Sequence, residues 1–172
     1  MALRLANVIR DEIPAPREFI QIEYKGPNPI QVYHALNNLF RIIWEIKGTQ
    51  LFEPDFRWDI TTDPRPFFIQ VFVEKAMDKF TTYRVDVKMQ GSQPTDPSKN
   101  GVLRIEIHGW ITTEFKTENP LNRFLFPFFY WPYHVAYYAP RRRKYLEWHR
   151  RRIDRLADEI RGMLKIPSKP IP

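Results

Sequence analysis

The chain has 172 residues, with 27 lysines and arginines against 20 aspartates and glutamates, and a formal charge of +7. Residues 1–140 hold equal numbers of basic and acidic side chains, so the whole excess lies in residues 141–172. The chain has no cysteine, which excludes disulfides, zinc fingers and iron–sulfur clusters, and no apolar run of signal-peptide length follows Met1. We therefore expect a cytoplasmic protein with a neutral body and a basic C-terminal segment.

Several classes of enzyme are excluded by missing motifs. The six glycines match neither G-x-G-x-x-G nor a P-loop, and neither a G-x-S-x-G elbow nor an H-E-x-x-H pair occurs. We predict no catalytic residue, no cofactor and no metal site, which favours a protein that is not an enzyme. His108 and His134 are expected to be structural residues.

The first 17 residues are expected to form an extended segment, because Pro14 and Pro16 cannot continue a helix. Apolar side chains at Ile20, Ile22 and Tyr24 then alternate with polar ones. This period of two predicts a half-buried strand.

Apolar residues at helical spacing predict a first helix over residues 29–47. Asn28 is the predicted N-cap, and Pro29 takes the first helical position, where its missing N–H costs nothing. Gly48 is the predicted stop.

Alternating patterns predict further strands over residues 56–60, 67–73, 83–89 and 103–115, with a turn-rich loop over residues 91–101. Gly109 interrupts the last alternation and predicts a β-bulge. If the aromatic side of the first of these strands faces the core, Asp55 and Asp59 face water.

A long C-terminal helix is predicted after the basic run Arg141-Arg142-Arg143-Lys144, which follows Pro140. The helix ends near residue 164 and is followed by a proline-rich tail over residues 165–172. Its apolar stripe has a strict three–four spacing: Leu146, His149, Ile153, Leu156, Ile160 and Met163. The elements together predict one α+β domain with a folded core over residues 18–164. We expect a curved antiparallel sheet of about five to six strands, one early helix, and the long C-terminal helix packed on the sheet.

The segment Pro29-Ile30-Gln31-Val32-Tyr33-His34-Ala35-Leu36 is similar to the P-x-x-V-aromatic-x-x-L start of the early helix in the START-like superfamily. The order of elements also resembles that superfamily's helix-grip fold, found in polyketide cyclases and lipid-transfer domains. The resemblance implies a sheet that grips the last helix around an apolar cavity. It implies no catalytic residue.

Nine of the 16 residues over 124–139 are aromatic. The run is shorter than the ~20 residues that a membrane-spanning helix needs, and Pro127 and Pro132 interrupt it. It therefore predicts no transmembrane segment. The alternatives are a segment that enters a bilayer interface, where Trp and Tyr collect, or one that covers the sheet and lines a pocket or an oligomer interface.

The first functional hypothesis is a non-enzymatic binding protein with an apolar, aromatic-lined pocket for a small hydrophobic molecule or a lipid. It rests on the excess of aromatic residues. The predicted lining residues are Trp58, Phe72, Trp110, Phe128, Trp131 and Tyr133.

The second hypothesis is that the basic C-terminal helix binds phosphate groups, because arginine forks match phosphate geometry. The predicted contacts are Arg141, Arg142, Arg143, Lys144, Arg150, Arg151 and Arg152. The partner is nucleic acid or an anionic membrane surface met through residues 124–144. Tyr145, Trp148 and His149 could stack on bases, but such aromatic residues more often belong to a core, which we expect for Tyr145 and leave open for Trp148. The remaining alternative is a solvated helix face that aids solubility.

Overall fold

The computed structural model describes residues 6–13, 18–96, 98–116 and 139–167. In chain order the elements are β1 (Ala6–Glu12), β2 (Ile20–Pro27), α1 (Gln31–Trp44), a single 3-10 turn (Gly48–Gln50), β3 (Leu51–Trp58), β4 (Arg65–Ala76), β5 (Thr81–Gln93), β6 (Asn100–Lys116) and α2 (Ala139–Met163). All strand pairs are antiparallel and belong to one six-stranded sheet. The predicted fold class is confirmed: an α+β fold with an early helix and a long C-terminal helix.

The sheet is organised around β6, a strand of 17 residues that pairs with β5 along one edge. Its other edge pairs with two strands in succession, β2 and β1, which lie end to end. Ile13 lies between them and donates its N–H to the carbonyl of Gly109 at 2.8 Å. β1 belongs to the segment that the sequence predicted only as extended.

The two faces of the sheet differ in chemistry because residues paired across antiparallel strands point to the same side. One face, here called the inner face, carries rows of buried apolar residues such as Val73, Val85 and Ile107, and both helices pack on it. The opposite, outer face carries the alternate residues, including Phe72 and Asp86. Each large apolar side chain buried on the inner face stabilises the fold by roughly 1.5–3 kcal/mol.

Helix α1 is shorter at both ends than predicted. Asn28 is not the N-cap: it adopts a left-handed conformation (φ 49°) in the preceding turn, and Ile30 occupies the N-cap position without a side-chain hydrogen bond. At the other end Glu45 is also left-handed (φ 52°) and donates its N–H to the carbonyl of Arg41. This geometry closes the helix three residues before Gly48, the predicted stop.

Helix α2 buries the four middle residues of the predicted stripe, whereas Leu146 and Met163 at its two ends are half-buried. His149, Leu156 and Ile160 have no solvent exposure, and Ile153 has 1%. Arg141 to Lys144 lie inside the first turns of the helix rather than ahead of it. The apolar spacing was sufficient to predict which side of α2 meets the sheet.

The predicted bulge at Gly109 is wrong, because β6 keeps its register with β5 on both sides of this residue. Gly109 instead lies directly beneath Ile153, whose side chain would overlap any Cβ at this position. The glycine therefore permits a close approach between α2 and the sheet.

The irregular strand is β3, whose register with β4 shifts between Phe52 and Asp55. Pro54 lies within this shift and has no N–H to give to the ladder. β3 ends at Trp58, and Ile60, which was predicted within the strand, is 70% exposed. β5 continues to Gln93 and β6 begins at Asn100, so both strands extend into the loop predicted over residues 91–101.

We predict that Gly109→Ala lowers the free energy of unfolding by about 1–3 kcal/mol, because the added methyl group overpacks the contact with Ile153. Gly162→Ala is the matched control, since no atom lies within 4 Å of a Cβ at this helical position. The control should be neutral or gain up to about 1 kcal/mol. Urea denaturation followed by circular dichroism measures both. A Gly109→Ala variant as stable as the parent would contradict the close contact between α2 and β6.

Candidate functional site

Two of the predicted phosphate-binding arginines are turned toward the rest of the chain. The guanidinium of Arg142 makes two hydrogen bonds to the carboxylate of Asp11 on β1. Arg152 donates from Nε to the carbonyl of Ile43 at 2.8 Å, and its guanidinium lies 3.3 Å from the centroid of the Trp148 ring. Both residues therefore hold α2 against the fold.

Four other predicted residues form an exposed surface, here called the basic strip: Arg143, Lys144, Arg150 and Arg151. They are two pairs separated by seven residues, or about 10.5 Å along the helix. Within the described residues none of the four makes an ion pair with a carboxylate. Arg141 is also exposed, and Glu147 lies between the two pairs.

The position of these basic residues at the N-terminal end of α2 destabilises the helix. The first turn of α2 contains no acidic residue, and the basic run occupies the end where the helix dipole favours anions. Each exposed cation at such an end costs the helix roughly 0.3–1 kcal/mol at low salt. The basic run is thus not explained by the stability of α2.

The aromatic residues among these arginines are engaged inside the protein. The hydroxyl of Tyr145 donates to Oδ2 of Asp78 at 3.2 Å, Trp148 is half-buried beneath Arg152, and His149 is fully buried. His149 is therefore inaccessible to a base, and the guanidinium of Arg152 covers one face of the Trp148 ring. Asp78 in turn accepts hydrogen bonds from the backbone N–H groups of Phe80 and Thr81, so its role is to shape the β4–β5 turn.

His149 is the one polar member of the buried stripe. Its Nδ1 accepts a hydrogen bond from Nε1 of Trp44 at 3.3 Å, and its ring lies 4.2 Å from that of Tyr83. Burial, with a smaller contribution from the nearby Arg152 guanidinium, lowers the pKa of His149 to about 3. Its Nε2 and the hydroxyl of Tyr83 are buried without a partner among the described residues.

The three predicted pocket residues that the structure describes do not share one face of the sheet. Trp58 lies on the inner face opposite Phe67, whereas Phe72 and Trp110 lie on the outer face. The other three, Phe128, Trp131 and Tyr133, lie outside the described residues. The hydrophobic-ligand pocket therefore stays a prediction.

On the outer face, aromatic rings and guanidinium groups alternate across the sheet. The Arg84 guanidinium lies 3.6 Å from the centroid of Phe72 and 5.4 Å from that of Trp110, and the Arg10 guanidinium lies 4.2 Å from Trp110. Phe52 stacks on the other side of Phe72 at 4.9 Å. These cation–π contacts give the outer aromatic residues a structural role within the sheet.

Three side chains near the middle of the outer face have buried polar atoms without a hydrogen-bond partner among the described residues: Arg84 Nε, Asp86 Oδ1 and His108 Nε2. Asp86 is only 4% exposed, and its other oxygen accepts a hydrogen bond from Gln70 at 2.7 Å. His108 was expected to be a satisfied structural residue; its ring lies 5.0 Å from that of Phe19, and its Nε2 lies 3.7 Å from Oε2 of Glu106. No pattern in the sequence distinguished Asp86 from the other acids.

A cleft of about 250 Å³ lies between α1 and β3. Leu36, Leu51 and Val71 form its apolar floor, and Tyr33, His34 and Glu53 lie at its rim. The Tyr33 hydroxyl donates to Oε2 of Glu53 at 2.9 Å. No pattern in the sequence indicates this cleft, because its residues come from three elements and share no motif.

Other acidic residues have partners that account for them. Asp55, which is half-buried rather than facing water, pairs with Arg57, and Asp59 accepts hydrogen bonds from Thr61. In the part of the chain that the structure describes, no three His, Asp or Glu side chains converge as metal ligands.

No protein-family model matches the chain, and no curated protein matches its sequence. The resemblance to the START-like superfamily thus remains a prediction from the order of elements. Within the described ranges, no helix has the length and apolar character needed to cross a bilayer.

We predict that acid destabilises this protein through His149. Its folded pKa is about 3, below the ordinary value of 6.5, so the unfolded chain binds more protons between these values and stability falls as pH drops below about 6.5. From pH 7.5 to pH 5 the loss from this one group is about 2 kcal/mol.

The measurement is the free energy of unfolding by urea at several pH values. His149→Gln should be less stable at neutral pH but should show a smaller acid loss, while the control His34→Gln, at an exposed position on α1, should keep the loss. The same acid loss in His149→Gln and the parent chain would contradict this assignment.

Proposed function

We propose that this chain is a peripheral membrane-binding protein whose basic strip contacts the phosphate groups of an anionic lipid surface. The observation that carries the proposal is the exposure of Arg143, Lys144, Arg150 and Arg151 on the part of α2 that directly follows the aromatic-rich run. Basic residues clustered on one helix are typical of contacts with anionic lipid headgroups.

The expected binding free energies indicate that the basic strip needs a second membrane contact acting together with it. A basic residue near an anionic surface adds roughly 1 kcal/mol, so the four cations add about 4 kcal/mol, which alone gives weak binding. Stable association generally needs a second signal. Residues 124–138 contain four Tyr and one Trp, residue types that collect at a membrane interface, although these residues lie outside the described part of the chain.

Nucleic-acid binding has less support. Tyr145 and Trp148, the two side chains that could stack on bases, are engaged with Asp78 and Arg152. Arg142 and Arg152, two of the seven predicted phosphate contacts, are also engaged inside the protein. We therefore favour the membrane surface and treat nucleic acid as the alternative outcome of the same experiment.

We expect the full chain to co-sediment with vesicles that contain phosphatidylserine and to remain in solution with vesicles of phosphatidylcholine alone. Replacing all four residues of the basic strip by Gln should weaken binding at least about tenfold, and added salt should weaken binding of the parent chain. The matched control replaces four exposed lysines elsewhere, Lys25, Lys47, Lys79 and Lys99, and has the same change in charge.

Two results would contradict the proposal. One is equal co-sedimentation with and without phosphatidylserine; the other is equal loss of binding in the strip variant and the lysine control. Duplex DNA and single-stranded RNA are titrated at the same salt. Binding to either that disappears in the strip variant, without vesicle binding, would assign the strip to nucleic acid instead.

A further inference from the structure

The cleft between α1 and β3 combines an apolar floor with an acidic rim. Two of its floor residues, Leu36 and Val71, are nearly inaccessible to solvent, and Leu51 is half-buried. Its volume of about 250 Å³ is below the ~300–1,000 Å³ of pockets that hold drug-sized ligands. The cleft therefore suits a small molecule with a short hydrocarbon portion.

The charge of the rim comes from Glu53. This exposed carboxylate has no cationic partner among the described residues, whereas the neighbouring Asp55 is paired with Arg57. Oε2 of Glu53 accepts the hydrogen bond from Tyr33, and Oε1 has no partner in the described ranges. One carboxylate oxygen at the mouth of the cleft is thus available to a ligand.

The hydrogen bond from its hydroxyl places the Tyr33 ring beside this carboxylate. The Tyr33 ring lies 5.5 Å from the Phe56 ring and 5.5 Å from the His34 ring. Phe56 is 44% exposed although it lies on the inner face of the sheet. Aromatic faces beside a carboxylate attract cations rather than anions. Burial, with the Glu53 carboxylate as the smaller cause, raises the pKa of Tyr33, so its hydroxyl stays protonated.

We propose that this cleft binds a small primary ammonium ion with a short hydrocarbon tail. The tail contacts Leu36, Leu51 and Val71, and the ammonium group donates to Glu53 beside the Tyr33 ring. The site is separate from the basic strip, so this proposal stands or fails independently of membrane binding.

The probe is n-pentylammonium, titrated into the isotope-labelled full chain and followed by amide chemical shifts in NMR spectra. We expect saturable shifts at Leu36, Leu51 and Val71. Two molecules of similar size separate the contribution of the hydrocarbon tail from that of the positive charge. 1-Pentanol keeps the tail without a charge, and pentanoate carries the opposite charge. Affinity should fall in the order ammonium, alcohol, carboxylate.

Glu53→Gln should weaken pentylammonium binding by roughly threefold to fivefold and leave 1-pentanol unchanged, because only the ion pair is lost. Glu12→Gln is the matched control, an exposed carboxylate on β1 at the opposite edge of the sheet. Leu51→Trp fills the cleft and should abolish binding of both molecules.

The proposal would be overturned by the absence of saturable shifts at the cleft, by pentanol or pentanoate binding as tightly as the ammonium ion, or by unchanged ammonium affinity in Glu53→Gln. Since that variant alters an exposed side chain, it tests the proposal even if Leu51→Trp fails to fold.

Discussion

The contact between Ile153 of α2 and Gly109 of β6 determines how the long helix lies on the sheet. With no Cβ at Gly109, the apolar stripe approaches the inner face closely, and this fixes the rotation of α2 about its axis. The same rotation turns Arg142 toward Asp11 and Arg152 toward the carbonyl of Ile43. It leaves the four residues of the basic strip exposed to solvent. The proposed membrane contact thus depends on apolar packing elsewhere on the same helix.

The sheet divides its aromatic residues between two environments. On the inner face Phe67 joins the core, whereas on the outer face Phe72 and Trp110 pack against arginines. An excess of aromatic residues therefore does not by itself imply a cavity. Stacked guanidinium groups cover aromatic rings that would otherwise expose apolar surface, with a modest gain of about 0.5–1 kcal/mol per exposed contact.

Two buried polar groups at the contact between α2 and the sheet reduce the stability of the fold. His149 and Tyr83 each bury a polar atom without a partner in the described residues, which costs roughly 1–3 kcal/mol per atom. The apolar members of the stripe, Ile153, Leu156 and Ile160, offset this cost. Protonation of His149 would add a charge beside Arg152 in a site without solvent. The free energy of unfolding therefore falls at acidic pH because of a residue in the core.

The sequence by itself determined the elements whose residues repeat with a regular period. The 3.6-residue spacing in α2 and the period of two in β4, β5 and β6 predicted the α+β class and the buried stripe. The sequence also showed that the excess positive charge lies in the last 32 residues. These features are local, since each depends only on neighbours along the chain.

Only the tertiary structure decided which residues meet. β1 became a strand because β6 is long enough for the edge that pairs with β2 to continue beyond it. Gly109 was needed for the approach of Ile153, which lies 44 positions later in the chain. The separation of Arg142 and Arg152 from the basic strip followed from the rotation of α2, and the cleft beside Glu53 followed from the packing of α1 against β3. These outcomes depend on contacts between segments that are distant in the sequence. A periodic pattern within one segment does not predict such contacts.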